Sequence, residues 1–354
     1  MFSSSDFEDL RDYPVALLGP LLNGYFAALY GRLESAPAAS VAFVSREGVF
    51  LNEAFQAFCD ARGLVCRSAA VPASRAFLAK LLLDDGSLDH VLTKTFEGTF
   101  ARLLADRLAI SDWTSEPDMV KWSKMRFVLP RDADQIRSLW PYVKDRLNLS
   151  IAEKKQAYRA HLTALGVDER SIVADVGYSG SIQALLSWIM EAPLSGFYIA
   201  TTKSQKIYNP YFSASLDALF PSLGNLGDGV PMLDNSLLLE VVMSADHGQV
   251  DDILPSASCD GWRFHHGPKG RSQYAHDVIK IMQDAVISHL RDTSDAKIEQ
   301  FVGKNHRDWL HQYVDRMMTM PSMAPRLLIE VGDVDDRASG LGFINPWRYL
   351  QSFQ

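Results

Sequence analysis

The chain has 354 residues, of which 47% are hydrophobic and 22% are charged, and its formal net charge is -8. This length and composition are typical of a globular protein with one large domain or two moderate ones. The acidic balance argues against nucleic acid as a partner, because such binding depends on Lys and Arg neutralising phosphates. The 3 cysteines form no CxxC pair, so we expect reduced thiols rather than a disulfide framework.

The N-terminal segment predicts a helix packed on the rest of the fold. Acids stand in its first residues where a secretory signal would need basic residues. Because no apolar run approaches the roughly 18 residues of a membrane span, we expect no transmembrane segment. Pro14–Leu33 is mostly apolar with helical spacing, and Gly19-Pro20 is expected to begin the main helix.

A strand, a short polar loop and a helix follow. Val41–Val44 predicts a buried strand, Ser45–Gly48 a loop, and Val49–Arg62 a helix that ends at Gly63. Val65–Val71 predicts the next strand. Strands alternating with helices indicate a parallel sheet with helices on its faces, in which ligands bind beyond the carboxyl ends of the strands.

Three arginines come from these neighbouring elements: Arg46, Arg67 and Arg75. The planar guanidinium group suits a polyphosphate, because it donates two parallel hydrogen bonds. The alternative for each is a solvated surface side chain. Arg46 and Arg75 are the better candidates, since each follows a serine in a loop after a strand.

Residues 84–165 predict a mainly helical insertion. Three amphipathic helices are expected there, over Asp89–Ile110, Pro130–Leu147 and Ile151–Leu165. The charged runs are typical of exposed helix faces, and no motif in the insertion carries chemistry.

The stretch Ser171–Trp188 repeats the strand, loop and helix pattern. The strand ends at Asp175, and the small residues Gly177–Ser181 lead into a helix. Unpaired N–H groups at a helix start attract an anion, and glycines let the backbone approach a phosphate closely. An acid just before such a cradle suits a phosphorylated ribose with a metal ion. The alternative is an ordinary turn with a serine cap.

Further along, Gly196–Thr201 predicts another buried strand, followed by Lys203 and Lys206. Asn209–Asp234 predicts a long loop that folds over a site. Glu240 lies in an apolar run, where a charge is costly unless it is paired. Glu240 is therefore either a helix-face residue at an edge or a buried functional acid.

The patterns together predict an α/β fold, with a parallel-sheet Rossmann-like core, a helical insertion and a helical C-terminal region. We expect the core over residues 1–255 and the mainly helical region over residues 256–354.

Two of the loops resemble those of phosphoribosyltransferases. Val173–Ser181 is similar to the loop that holds the 5-phosphate of phosphoribosyl pyrophosphate (PRPP), and Ser45–Gly48 resembles the pyrophosphate loop. Ala174 stands where that family usually has a first acid, and Glu47 where it usually has a small residue. These two departures argue against a standard base-salvage enzyme.

A closer resemblance is to the phosphoribosyltransferase module of bacterial ribofuranosyltransferases, which build surface polysaccharides such as O-antigen and capsule. The motifs LGPLLNGYF, FVSREG, PASRAF, DVGYSGSIQ and LEVVMSA carry it in this order, over roughly Leu18–Ala245. It implies transfer of 5-phosphoribosyl from PRPP to a glycan hydroxyl, with Mg²⁺ and with inversion to a β-ribofuranoside 5-phosphate.

The resemblance also implies roles for individual residues. Asp175 and Glu47 would be the catalytic acids, with Asp175 also at the metal, directly or through a water. Arg67, Lys203 and Glu240 are additional candidates. The residues implied for PRPP binding are Ser45, Arg46, Gly48, Arg75, Gly177, Tyr178, Ser179, Gly180 and Ser181.

Relatives of this kind often work with a haloacid-dehalogenase-type phosphatase that removes the 5-phosphate. The chain has no DxDxT-like phosphatase motif, so a separate phosphatase is the implied partner. The implied location is cytoplasmic, peripheral to the inner membrane where the glycan acceptor is lipid-linked. Two other classes stay open: a glycosyltransferase that uses a nucleotide sugar, and a non-catalytic protein that binds PRPP. The first has no GxGxxG or DxD motif to support it.

Overall fold

The computed structural model describes residues 4–36, 39–111, 117–147, 149–202, 215–225, 227–257, 261–293, 304–319, 324, 326–336 and 342–347. It confirms the predicted α/β class. Five parallel strands form the central sheet: β1 (Val41–Val44), β2 (Ser68–Val71), β5 (Ile172–Asp175), β6 (Ser195–Ala200) and β7 (Leu216–Phe220). Their order across the sheet is β2-β1-β5-β6-β7.

The order of the strands reverses between β1 and β5, which pair directly with Val41 opposite Ile172. From β1 the chain moves outward to β2, and from β5 it moves outward the other way to β6 and β7. In open parallel sheets, ligands bind at such a reversal, outside the carboxyl ends of the strands.

Strands β1 and β5, at the middle of the sheet, are buried along their whole length, which explains their mostly apolar sequences. In β1, Val41 and Phe43 belong to one hydrophobic core and Ala42 and Val44 to the other. The first core includes side chains of α1 (Ser4–Glu34), α2 (Glu47–Asp60) and α13 (His276–Asp292). The second includes side chains of α3 (Arg75–Leu81), α8 (Ile151–Ala164) and α9 (Ser181–Met190).

Helix α1 is longer than predicted, because it runs through Pro14 and Pro20 instead of starting at Gly19-Pro20. A proline inside a helix leaves the carbonyl four residues earlier without its backbone donor. For Pro20 that carbonyl belongs to Ala16, and the hydroxyl of Tyr313 donates a hydrogen bond to it at 3.0 Å. Tyr313 lies on α14 (Lys304–Met318), so tertiary packing satisfies the group that proline leaves unpaired.

The insertion has a hydrophobic core of its own, but it is not entirely helical. The predicted helix over Asp89–Ile110 is wrong: β3 (Phe96–Thr99) interrupts it between α4 (Ser87–Leu92) and α5 (Phe100–Leu108). Thr99 accepts a hydrogen bond from the backbone of Arg102 and so caps α5. The remaining elements of the insertion are α6 (Pro117–Ser123), β4 (Arg126–Leu129), which pairs antiparallel with β3, and α7 (Ala133–Leu147).

The later part of the chain combines short helices and two hairpins with longer helices. The elements among its described residues are α10 (Pro231–Asp234), α11 (Leu237–Met243), β8 (Val250–Ser256), β9 (Gly261–His266), α12 (Arg271–Tyr274), α13, α14, α15 (Arg326–Val331), β10 (Val334–Asp336) and β11 (Gly342–Ile344). The expected boundary after residue 255 falls within β8, and the division into two domains stays a prediction. Among the described helices, none is both long and apolar enough to cross a membrane.

Candidate active site

Three loops that follow neighbouring strands meet around one cavity of about 620 Å³. They follow β1, β2 and β5, and therefore lie at the carboxyl edge of the sheet, beside the reversal of strand order. This volume is within the usual range of small-molecule sites. The predicted site residues that line the cavity are Ser45, Arg46, Glu47, Arg75, Asp175, Gly177, Tyr178, Ser179, Gly180, Ser181 and Glu240.

The loop after β5 brings small polar groups to the start of α9. Gly180 has a φ of 71°, a left-handed conformation that suits glycine, and α9 begins at the next residue. The hydroxyl oxygens of Ser179 and Ser181 lie 3.1 Å apart. The first N–H groups of this ten-residue helix and the two hydroxyls form a set of donors suited to a phosphate.

The loop after β1 brings a buried ion pair to the cavity. A guanidinium nitrogen (Nη2) of Arg46 lies 3.6 Å from Oε1 of Glu47, and the two residues are only 7% and 5% exposed. The other terminal nitrogen of Arg46, Nη1, is buried and has no hydrogen-bond partner within the described residues. A buried guanidinium donor without a partner is costly, so this nitrogen is available to an anionic ligand in the cavity.

Asp175 ends β5 and is 8% exposed. Burial and, after it, the negative charge of Glu47 raise the pKa of its carboxyl from 3.8 to about 7. The backbone N–H groups of Gly177 and Val176 and the charge of Arg75 act in the opposite direction. A carboxyl with a pKa near neutrality is suited to general acid–base catalysis. Gly177 keeps space for this group, since a Cβ at that position would lie 3.0 Å from Oδ2 of Asp175.

The loop after β2 is tied to a later part of the chain. Ser74 caps α3 by accepting a hydrogen bond from the backbone of Phe77, and its hydroxyl donates to the carbonyl of Val250 on β8. Arg75 is the first residue of α3, and its side chain is exposed at the cavity. The cap therefore fixes the backbone from which an accessible cation reaches the site.

Glu240 lies on α11 and also lines the cavity. It is close enough to Tyr178 that its charge adds to the effect of burial, and together they raise the pKa of the tyrosine hydroxyl well above its ordinary value. Glu240 is half-buried at the cavity, and its role as a helix-face residue at an edge or as a functional acid stays a prediction.

Three candidate residues are not part of this cavity wall as described. Gly48 lies beneath the loop, where a Cβ would overlap the backbone carbonyl of Phe43, so it serves close packing of α2 on β1. Arg67 lies at the opposite edge of the sheet, where its carbonyl accepts from the N–H of Val41 and its side chain lines a separate cavity near Arg170. Lys203, like Lys206, falls outside the described residues.

Other lining residues were not singled out in the sequence. They are Asp234, Asn235, Ser236, Gln249 and Asp335. The predicted long loop over Asn209–Asp234 is wrong in its described part, because β7 (Leu216–Phe220) and α10 (Pro231–Asp234) lie in that range. Gly227 and Asp234 from this range line the cavity. Nothing local marks Asp335, which reaches the cavity from the hairpin of β10 and β11.

Within the residues that the structure describes, no three His, Cys, Asp or Glu side chains form a metal-binding group. The cavity does hold two neighbouring buried carboxyl groups, those of Asp175 and Glu47. No family model matches the chain, and no protein of curated function is detectably similar to it in sequence. The fold and the site define a parallel α/β protein with a charged cavity at the reversal of strand order. The resemblance carried by the motifs stays a prediction.

Proposed function

We propose that the chain is a phosphoribosyltransferase that transfers 5-phosphoribosyl from PRPP to a hydroxyl of a glycan, in the synthesis of a bacterial surface polysaccharide. One observation carries the proposal. The donors of the β5 loop, the arginines of the β1 and β2 loops and a carboxyl with a raised pKa line the same cavity. A sugar with phosphates at both ends and hydroxyls between them matches that arrangement.

The two ends of PRPP have separate binding groups in this proposal. The loop Gly177–Ser181 and the start of α9 bind the 5-phosphate through N–H groups and serine hydroxyls. Arg46 and Arg75 bind the pyrophosphate, which gives Nη1 of Arg46 the acceptor that it does not find among the described residues. Asp175 lies between the two groups at the end of β5.

The residues present fit a magnesium ion. Mg²⁺ uses one or two protein carboxylates together with substrate phosphates and waters, so a full protein cage is not expected. Glu47 and Asp175, the latter directly or through a water, would hold the ion, and the buried oxygen Oε1 of Glu47 lacks a hydrogen-bond partner in the described structure. When bound, the ion supplies positive charge to the leaving pyrophosphate.

The reaction exchanges one bond at the anomeric carbon. The bond from C1 of the ribose to the pyrophosphate oxygen breaks, and the electron pair leaves with pyrophosphate, which Arg46 and Arg75 stabilise. The acceptor oxygen forms a bond to C1 from the opposite face, and its proton passes to the Asp175 carboxylate. The product is a β-ribofuranoside that keeps its 5-phosphate, so a separate phosphatase completes the unit. We place this step in the cytoplasm, peripheral to the inner membrane for a lipid-linked acceptor.

Calorimetric titration tests the donor, and pyrophosphate release tests the reaction. The protein is titrated with PRPP and Mg²⁺ and, in parallel, with a panel of nucleotide sugars, and pyrophosphate is then assayed with and without a glycan acceptor. We expect the protein to bind PRPP and none of the nucleotide sugars, and to release pyrophosphate only when an acceptor is present. Binding of a nucleotide sugar in place of PRPP would indicate the other glycosyltransferase class. PRPP binding without turnover on any acceptor would indicate a non-catalytic binding protein.

A further inference from the structure

Two of the 3 cysteines lie side by side at the end of α2. Cys59 is in the last turn of that helix, and the chain then turns through Gly63, whose φ of 63° is left-handed. The backbone N–H of Leu64 donates to the carbonyl of Cys59 at 3.0 Å and fixes the turn. Cys66 follows two residues later, and its sulfur and that of Cys59 share a hydrogen bond. Both are free thiols in this structure.

The two cysteines differ in their access to solvent. Cys59 is fully buried in the first hydrophobic core, whereas Cys66 is partly exposed and lines a second cavity, of about 630 Å³. Other lining residues of this cavity are Ala39, Arg67 and Arg170, which precede β1, β2 and β5. The cavity therefore lies at the edge where the strands begin, away from the candidate active site. Its size can admit a small molecule to Cys66.

The contact between the thiols makes them chemically unequal. The hydrogen bond from Cys59 lowers the pKa of the Cys66 thiol, against the effects of burial and of the charge of Asp60. The same hydrogen bond, together with burial, raises the pKa of the Cys59 thiol. Because the thiolate is the nucleophile in exchange with a disulfide, Cys66 is suited to react first and Cys59 second.

From this geometry we infer that Cys59 and Cys66 form a redox-active dithiol, in which Cys66 reacts with a small disulfide such as oxidised glutathione and Cys59 then closes an intramolecular disulfide. In the first step the Cys66 thiolate bonds to one sulfur of the small disulfide, whose S–S bond breaks, and the other half leaves as a thiolate. In the second step Cys59 gives its proton to solvent, its sulfur bonds to that of Cys66, and the remaining half leaves as a thiolate. Two protein thiols are thus oxidised, and the small disulfide is reduced to two thiols.

The chain places a trypsin site between the two cysteines, which allows a direct test. Cleavage after Arg62 releases Cys59 in the peptide 47–62 and Cys66 in the peptide 63–67. The folded protein is incubated with oxidised glutathione, its remaining thiols are blocked with N-ethylmaleimide, and it is digested without reductant for mass spectrometry. We expect the two peptides to be joined by a disulfide that is lost on reduction. Recovery of the two peptides unlinked, each with a blocked thiol, would overturn the inference.

Single variants test the order of the two steps. In Cys59→Ser the second step cannot occur, so Cys66 should keep glutathione as a stable mixed disulfide. In Cys66→Ser the buried Cys59 should take up glutathione at least about tenfold more slowly, measured on its own tryptic peptide. Circular dichroism checks that both variants are folded. The peptide map of the wild type needs neither variant and decides the question where a buried serine prevents folding.

The third cysteine, Cys259, lies outside the described residues and provides the control. Cys259→Ser should form the same disulfide as the wild type. Absence of that disulfide in this variant, or equal uptake of glutathione by Cys59→Ser and Cys66→Ser, would contradict the assigned pair. Because the cavity beside Cys66 is separate from the proposed PRPP site, the inference can fail without affecting the proposed function.

Discussion

At the scale of single residues, Asp175 is a buried carboxyl whose pKa lies well above its ordinary value. Its pKa of about 7 arises from burial and from the neighbouring charge of Glu47, and both effects disfavour the ionised form. If Asp175 accepts the acceptor proton, the active form is the ionised one. The pH dependence of kcat/KM reports the free enzyme, so it should follow this carboxyl.

We predict that kcat/KM rises with pH and levels off above an apparent pKa near 7. Asp175→Asn should lower turnover by about 10²- to 10⁴-fold and remove this acidic limb. Steady-state pyrophosphate release between pH 5 and 9 measures both effects. A variant with full turnover and the same acidic limb would exclude Asp175 as the base.

The same pKa shift predicts how the free energy of unfolding depends on pH. Most carboxyl groups have a lowered pKa in the folded protein and stabilise it as pH rises, whereas the raised pKa of Asp175 has the opposite effect. The folded pKa lies above the unfolded one, so the folded protein binds the proton more tightly and the free energy of unfolding falls as pH rises from about 4 to about 7. Asp175→Asn removes this loss. In urea unfolding of the unliganded protein, the variant should gain up to about 4 kcal/mol over wild type at pH 8 and little at pH 4. Asp145→Asn, at an exposed position of α7, is the control. A gain that does not depend on pH would contradict the assignment.

Two exposed arginines, Arg75 and Arg67, offer a matched pair of variants for testing where PRPP binds. Arg75 lines the proposed PRPP cavity, whereas Arg67 lies at the opposite edge of the sheet. Arg75→Ala should weaken PRPP binding by about 10- to 100-fold, because it removes charge-assisted hydrogen bonds to pyrophosphate. Arg67→Ala should leave the Kd unchanged. Calorimetry measures the Kd for PRPP of both variants. An equal loss of affinity in the two would mean that long-range charge, and not direct contact, attracts PRPP.

At the scale of the elements, the approach of α2 to β1 depends on Gly48. A Cβ there would overlap the carbonyl of Phe43, which is backbone and has no rotamer to change. Gly48→Ala should therefore lower the free energy of unfolding by about 1 to 3 kcal/mol, as overpacking does. Because α2 would have to move, the affinity for PRPP should fall as well, since Arg46 and Glu47 begin that helix. Thermal unfolding and calorimetry would show this, and an unchanged Tm would contradict the packing role.

The sequence was sufficient to predict the elements whose patterns are local. The buried strands before Ser45 and after Ser171 were predicted correctly, and residues that follow them line one cavity. The first loop is shorter than predicted, because α2 begins at Glu47 and not at Val49. The elements that form only by pairing with distant parts of the chain were not predicted. Strand β7, both strands of the β8–β9 hairpin and the interruption at β3 carry weak apolar patterns and gain their order from pairing.

The roles of single residues show the same limit. Arg67 was predicted to lie within a strand, but it directly precedes β2, whereas the cavity lies beyond the ends of the strands. A shift of a few residues along the chain therefore places Arg67 at the opposite edge of the sheet. Gly48 is a residue type expected in a phosphate-binding loop, but in the structure it allows α2 to pack closely against β1. Asp335 reaches the cavity only through tertiary structure, so no local pattern marks it.

At the scale of the whole molecule, the N-terminal and C-terminal parts share one core. Ile279, Met282, Val286 and Leu290 of α13 are fully or almost fully buried in the same hydrophobic cluster as the leucines of α1. The helical C-terminal region therefore contributes to the stability of the sheet domain, whatever its further role.

A chain ended after residue 257 should consequently fail to fold cooperatively. It would expose the faces of α1 and α2 that α13 covers, and the loss of several fully buried side chains exceeds the usual net stability of a domain. Urea unfolding followed by circular dichroism measures this. A cooperative transition in the shortened chain would support the division into two domains after residue 255.

The pairing of β1 with β5 also has a consequence for synthesis in the cell. The hydroxyls of Ser40 and Ser171, which flank these strands and hydrogen-bond each other, are 131 residues apart in the chain. At a translation rate of about 5 to 20 residues per second, strand β1 is made roughly 7 to 26 s before its inner neighbour. During that interval an apolar strand edge has no partner, which makes it a binding surface for a holding chaperone and a starting point for aggregation.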